Sequence, residues 1–113
     1  MVTIDTHSIA DEGVYELSVH GEIDASSSIY LETALKEAMQ QSKKILIDMS
    51  ELEYISSAGL GVFMSILQDL ENEEIQMVLF NMSEKVIDVF EILGLNLLMN
   101  IQPSKEEALA ELK

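Results

Sequence analysis

The stretch Ile45–Met64, ILIDMSELEYISSAGLGVFM, constrains the fold more than any other part of the chain. It joins a short β-branched apolar run, Ile45-Leu46-Ile47, to apolar residues that recur at helical spacing from Leu60 onward. Such a run, ending at Asp48, reads as a buried strand reaching the edge of its sheet. Between strand and helix lie a predicted turn, an apolar patch of Leu52 and Tyr54-Ile55, and the pair Ser56-Ser57. A serine directly before a helix is an N-cap signal, because its hydroxyl accepts an otherwise unpaired backbone N–H. The same position welcomes a phosphate, since free N–H groups and the positive end of the helix dipole converge there.

The helix that follows carries Gly59 and Gly61 in its first turn. Each glycine costs a helix about 1 kcal/mol relative to alanine, so something is expected to approach that backbone closely. At about 100° per residue, Leu60, Phe63, Met64, Ile66, Leu67 and Leu70 share one arc, and Ser65, Gln68, Asp69, Asn72 and Glu73 lie opposite. Val62 stands apart, among polar neighbours and beside the two glycines. A buried helix with a serine cap and two glycines for tight packing on a sheet accounts for the same residues.

The rest of the chain alternates in kind. Residues 2–8 and Val14–His20 alternate as two strands, joined by turn chemistry at Asp11-Glu12-Gly13 into a hairpin. Gly21-Glu22-Ile23-Asp24 closes the second strand, and Asp24 or one of Ser26, Ser27 and Ser28 caps a helix. That helix has its stripe at Leu31, Ala34, Leu35, Ala38 and Met39. Lys43-Lys44 places positive charge at its end. Ile75–Phe80 reads as a buried strand, and Ser83 as the cap of a helix with an inner stripe of Val86, Val89, Phe90 and Leu93, ended by Gly94. Leu97–Ile101 reads as a short strand. Pro103 reads as the start of a last helix facing inward through Ala108, Leu109 and Leu112. The order β-β-α-β-α-β-α-β-α requires right-handed crossovers and a largely parallel sheet with helices packed on it. Residues 1–113 are expected to form a single α/β domain.

Composition narrows the function. Twenty-one acidic residues against six lysines, with no arginine, give a formal charge of −15. A nucleic-acid binder needs a basic face, and an anionic lipid surface would repel this chain. A partner with a basic surface would be attracted. With no cysteine, disulfides, thiolate metal sites and cysteine nucleophiles are excluded. No run is long enough to span a membrane, and residues 1–5 lack a secretory signal, so the cytoplasm is the expected compartment.

Catalytic signatures are missing. Gly59-Leu60-Gly61 lacks the third glycine and the acidic partner of a dinucleotide fingerprint. No Gly-x-Ser-x-Gly elbow surrounds Ser56 or Ser57. His7 and His20 lie in the hairpin as ordinary strand residues. Asp24 and Asp48, each expected to follow a strand, would line the usual ligand edge of an α/β sheet. A receiver domain would also use aspartates there, but it needs an acidic pair and a late lysine, and the late strands here end at Asn81 and Gln102.

Taken in order, Gly21-Glu22-Ile23-Asp24, Ile47-Asp48-Met49-Ser50 and Tyr54-Ile55-Ser56-Ser57-Ala58-Gly59-Leu60-Gly61 resemble the STAS domain of bacterial anti-sigma factor antagonists. Phe90-Glu91-Ile92-Leu93-Gly94-Leu95 and Pro103-Ser104-Lys105-Glu106-Glu107-Ala108-Leu109 resemble its tail. The resemblance spans nearly the whole chain. It implies a non-enzymatic regulator with no cofactor and no metal, in which Ser57 is phosphorylated by an anti-sigma factor that is itself a serine kinase. The unphosphorylated form would bind that kinase and release its sigma factor, and a serine phosphatase would reset the switch. Asp24, Ser56, Ser57, Ala58, Gly59, Gly61 and Val62 would form the partner-binding surface. The family usually has Asp before the phosphorylated serine. This chain has Ser56 there, which makes Ser56 the alternative acceptor. The competing function is a STAS module serving as a constitutive scaffold subunit of a larger signalling or transport complex, with Ser57 only a cap.

Overall fold

Ten elements alternate along the chain in a computed structural model that describes residues 2–9 and 13–112, the side chains of residues 7–9 apart. They are β1 (Val2–Ile9), β2 (Val14–Ile23), α1 (Ser28–Gln41), β3 (Lys44–Ile55), α2 (Ser57–Asn72), β4 (Gln76–Phe80), α3 (Glu84–Ile92), a 3₁₀ turn (Leu95–Leu97), β5 (Asn100–Gln102) and α4 (Lys105–Glu111). One five-stranded sheet runs in the order β1-β2-β3-β4-β5. The β1–β2 pair is antiparallel and the other pairs are parallel. This is the expected α/β architecture. Of the expected hairpin turn, Asp11 and Glu12 lie outside the described residues, and Gly13 has a positive φ of 66°.

The sheet separates two apolar clusters of unequal size. The larger holds the stripes of α1 and α2, with Val86 and Phe90 from α3, against Leu17, Val19, Ile45, Ile47 and Leu79. Phe63 and Phe90 meet there with ring centroids 5.6 Å apart, tilted at 56°. The smaller places Ala108 and Leu112 against Val14, Leu46, Val78 and Phe80 on the opposite face. Four apolar positions of the α1 stripe, Leu31, Leu35, Ala38 and Met39, are buried as the spacing predicts.

Several expectations need correction. The strand opening at Lys44 does not end at Asp48 but continues to Ile55. Its pairing with β2 slips twice, between Ser18 and His20 and again between Gly21 and Glu22. At each slip β3 carries one residue more than its partner, as in a β-bulge. The buried positions Met49, Leu52 and Ile55 therefore fall at intervals of three rather than two, and the alternation that marks a strand is lost. Asp48 consequently lies within β3, opposite Ser18 and Phe80, where it accepts the Ser50 N–H at 3.0 Å.

The α2 arc is also turned from its expected position. Val62 is buried at 9% exposure, whereas Met64 is 48% exposed. Gly59 is buried with Val62, Phe63 and Ile66 and belongs to the middle of the inward arc. Met64 lies about 140° from Gly59 around the axis, at about 100° per residue. Lys43 does not serve α1. Its Nζ donates to the Glu73 carbonyl at 3.0 Å, at the C-terminal cap of α2.

Three further shifts lie toward the C-terminus. Leu93 caps α3 and is 47% exposed. Gly94, at φ 73°, turns the chain into the 3₁₀ turn instead of a strand, and pairing with β4 begins only at Asn100. The last helix starts at Lys105, because the Ser104 hydroxyl accepts the Glu107 N–H at 3.2 Å and Pro103 precedes that cap.

Candidate functional site

The carboxyl ends of β2 and β3 lie side by side, with Ile23 opposite Ile55 in register. The residue after each strand leads toward a helix, so Asp24 and Ser56-Ser57 share one edge of the sheet. Ser56 fastens the two segments together. Its N–H donates to the Ile23 carbonyl at 2.8 Å, and its hydroxyl accepts the Gly59 N–H at 3.2 Å. Ser56 is the N-cap of α2, with extended backbone and a half-buried side chain. Ser57 is the first helical residue and is exposed, as is Ala58.

The two glycines differ in what they do. A Cβ on Gly59 would fall 2.7 Å from Ile55 Cγ1 and 2.8 Å from Ile23 Cγ2, so Gly59 lets α2 close onto the ends of both strands. A Cβ on Gly61 would meet nothing within 4 Å. Its absence is not required by packing inside the chain. Gly61 shares the outer side of the helix with exposed Ser57, Ala58, Met64 and Ser65.

Asp24 organises the neighbouring loop. Its Oδ1 accepts from the Ser26 hydroxyl at 2.8 Å, the Ser27 hydroxyl at 2.9 Å and the Ser27 N–H at 2.9 Å. The Asp24 N–H donates to the Ser27 Oγ at 2.9 Å. The hydroxyls of Ser26 and then Ser27, followed by the Ser27 N–H, lower the carboxyl from its ordinary 3.8 to about 2. Asp24 is thus an exposed, firmly ionised carboxylate held in a fixed direction. Ser27 takes the N-cap position of α1 without a side-chain cap bond.

The predicted site residues separate into three groups. Asp24, Ser57 and Ala58 are exposed, Ser56 and Gly61 are half-buried, and Gly59 and Val62 are packed inward. Sequence reading missed Met64 and Tyr54, which are 48% and 46% exposed. Counting Gly59 as part of the inward arc would have exposed Met64. Elsewhere, His20 Nε2 lies 3.2 Å from Asp5 Oδ2 across the β1–β2 pair. Among the described residues no cluster of three or more His, Asp or Glu is arranged to hold a metal ion, and no helix is long and apolar enough to cross a membrane.

Residues 7–108 match the STAS domain. The chain belongs to the STAS family. This STAS domain is 34% identical over 88 residues to the anti-sigma-B factor antagonist of Listeria monocytogenes, covering 77% of each chain. Its fold is shared by an anti-sigma factor antagonist from Mycobacterium paratuberculosis at a TM-score of 0.88, with 23% identity over 99% of this chain and 94% of that one. The Bacillus cell fate determinant SpoIIAA in its phosphorylated form superposes at a TM-score of 0.71, with 19% identity over 98% of this STAS domain and all of that chain (100%). The STAS domain described here is thus a member of the anti-sigma factor antagonist group.

Proposed function

We propose that this STAS domain binds a serine-kinase anti-sigma factor through the outer face of α2 and that phosphorylation of Ser57 ends the complex. Binding of the unphosphorylated form releases the sigma factor, and a serine phosphatase restores that form. Gly61 carries the reading. It is a helix-weakening residue with open space where its side chain would be, as expected where a partner's surface must approach the backbone. The docking face consists of Ser57, Ala58, Gly61 and Met64, with Asp24 across the edge. Gly59 and Val62 support it from beneath.

Ser57 is favoured over Ser56 as the acceptor because it is exposed, whereas the Ser56 hydroxyl is committed to the Gly59 N–H. A phosphate adds about −1.5 to −2 charge. At the start of α2 the helix dipole tolerates that charge, so the fold persists while a docked surface is repelled. The firmly ionised Asp24 adds like charge on the same edge. The replacement of the family's usual Asp by Ser56 is conservative in one respect, since both are strong N-caps.

The test is intact-mass analysis with site mapping on protein isolated from its own host, wild type beside Ser57→Ala. The expected result is one phosphate on Ser57, absent from the variant. A phosphate on Ser56 would overturn the assignment to Ser57 and move the switch by one residue, whereas none under varied growth and stress with phosphatases blocked would overturn the switch and favour a constitutive scaffold subunit.

A further inference from the structure

A second surface lies far from Ser57. Helix α2 begins at the carboxyl end of β3 and runs back toward the amino end of β4, so Leu70 is about 20 Å along the axis from Ser57 at about 1.5 Å per residue. Here Leu67, Leu70, Ile75, Met77, Leu98 and Met99 line a groove of about 370 Å³. Leu98 is 63% exposed. An apolar groove with an exposed leucine at its rim is the kind of surface a partner covers.

The charges around the groove identify the occupant. Among the described residues, the charged side chains that line it are Glu71 and Glu111, both acidic. The chain as a whole carries −15. A second copy would bring like charges together, and an anionic membrane would be repelled for the same reason. An apolar channel with acidic walls fits an amphipathic helix whose apolar stripe enters the groove and whose flanks carry Lys or Arg.

We infer that the groove between the C-terminal half of α2 and the Leu95–Met99 segment is a docking site for a basic amphipathic helix of a partner protein, separate from the Ser57 face. Occupancy does not depend on phosphorylation. A charge on Ser57 lies beyond the screening length of about 8 Å at physiological salt. The protein can then hold one partner constitutively while the Ser57 face exchanges another.

The probe is a synthetic leucine–lysine peptide of about four helical turns, measured by calorimetry against the full chain, with a leucine–glutamate peptide of the same pattern as control. Wild type and Ser57→Asp should bind the basic peptide equally, and neither should bind the acidic one. Leu98→Asp should weaken binding by about tenfold or more. That substitution makes the chain more acidic, so attraction by charge alone would rise, and a loss reports the apolar contact. Amide shifts induced in the wild type should centre on residues 67–77 and 95–99. Binding unchanged or strengthened in Leu98→Asp, no binding by wild type, or shifts centred on residues 57–65 would overturn the inference. So would a concentration-dependent dimer of the free chain that Leu98→Asp abolishes.

Discussion

The Ser56 N–H donates to the Ile23 carbonyl at 2.8 Å, tying the first residue beyond β3 to the last residue of β2. Through this bond the start of α2 and the Asp24 loop form one surface. Directly beneath it, Ile23 and Ile55 close on Gly59. The exposed chemistry and its buried support are therefore separable by mutation.

The two glycines should respond in opposite directions. Gly59→Ala forces a methyl into Ile55 and Ile23 and should cost about 1–3 kcal/mol. Gly61→Ala meets open space and should stabilise by about 0.5–1 kcal/mol through helix propensity. Urea denaturation measures both. A destabilised Gly61→Ala would remove the reason for assigning that glycine to an external surface. If the docking face is as proposed, Gly61→Ala should also bind its anti-sigma factor more weakly despite its greater stability.

Asp24 supplies a pH prediction. Its folded value of about 2 lies below its ordinary 3.8, so the carboxylate is favoured by folding. The stability it contributes is fully present above about 4 and is lost as the pH falls through that window toward 2. A side-chain NMR titration should place Asp24 near the bottom of the range, and Ser26→Ala/Ser27→Ala should move it back toward 3.8. A midpoint near 3.8 in the wild type would contradict the loop geometry.

Much of this architecture is legible in the sequence because apolar spacing is local. The α1 stripe, the β4 run and the Ser83 cap each declare themselves within a dozen residues. What escaped depends on partners distant in sequence. The bulges in β3 arise from its pairing with β2, and the inward turn of α2 arises from a glycine whose role is seen only against Ile23 and Ile55. At the candidate site the serine pair announced the start of α2, with Ser56 as its cap and Ser57 as its first residue, but the exposure of Met64 was not legible.

Glu16 illustrates the same limit. It alternates with Tyr15 and Leu17 as if facing water, yet it is 3% exposed, and its Oε1 lies 2.7 Å from Lys105 Nζ on α4. The pairing crosses most of the chain. Lys105→Met should cost about 1–3 kcal/mol, since it withdraws a charged partner from a buried carboxylate. A thermal melt unchanged from wild type would mean that the remaining interactions of Glu16 suffice.

Ser56 and Ser57 should prove different in kind although they are adjacent. Ser56→Ala leaves the Gly59 N–H without its acceptor and should cost about 1 kcal/mol. Ser57→Ala alters an exposed residue and should stay within about 0.5 kcal/mol of wild type. The decisive variant is Ser56→Asp, which restores the residue usual in the family. Asp accepts the same cap bond as well as Ser does, so stability should be retained within about 0.5 kcal/mol. Equilibrium unfolding of the three variants checks this ordering. If Ser56→Asp matched Ser56→Ala instead, the cap would not be what these two residue types share, and the exchange of one for the other would require an explanation outside the stability of the fold.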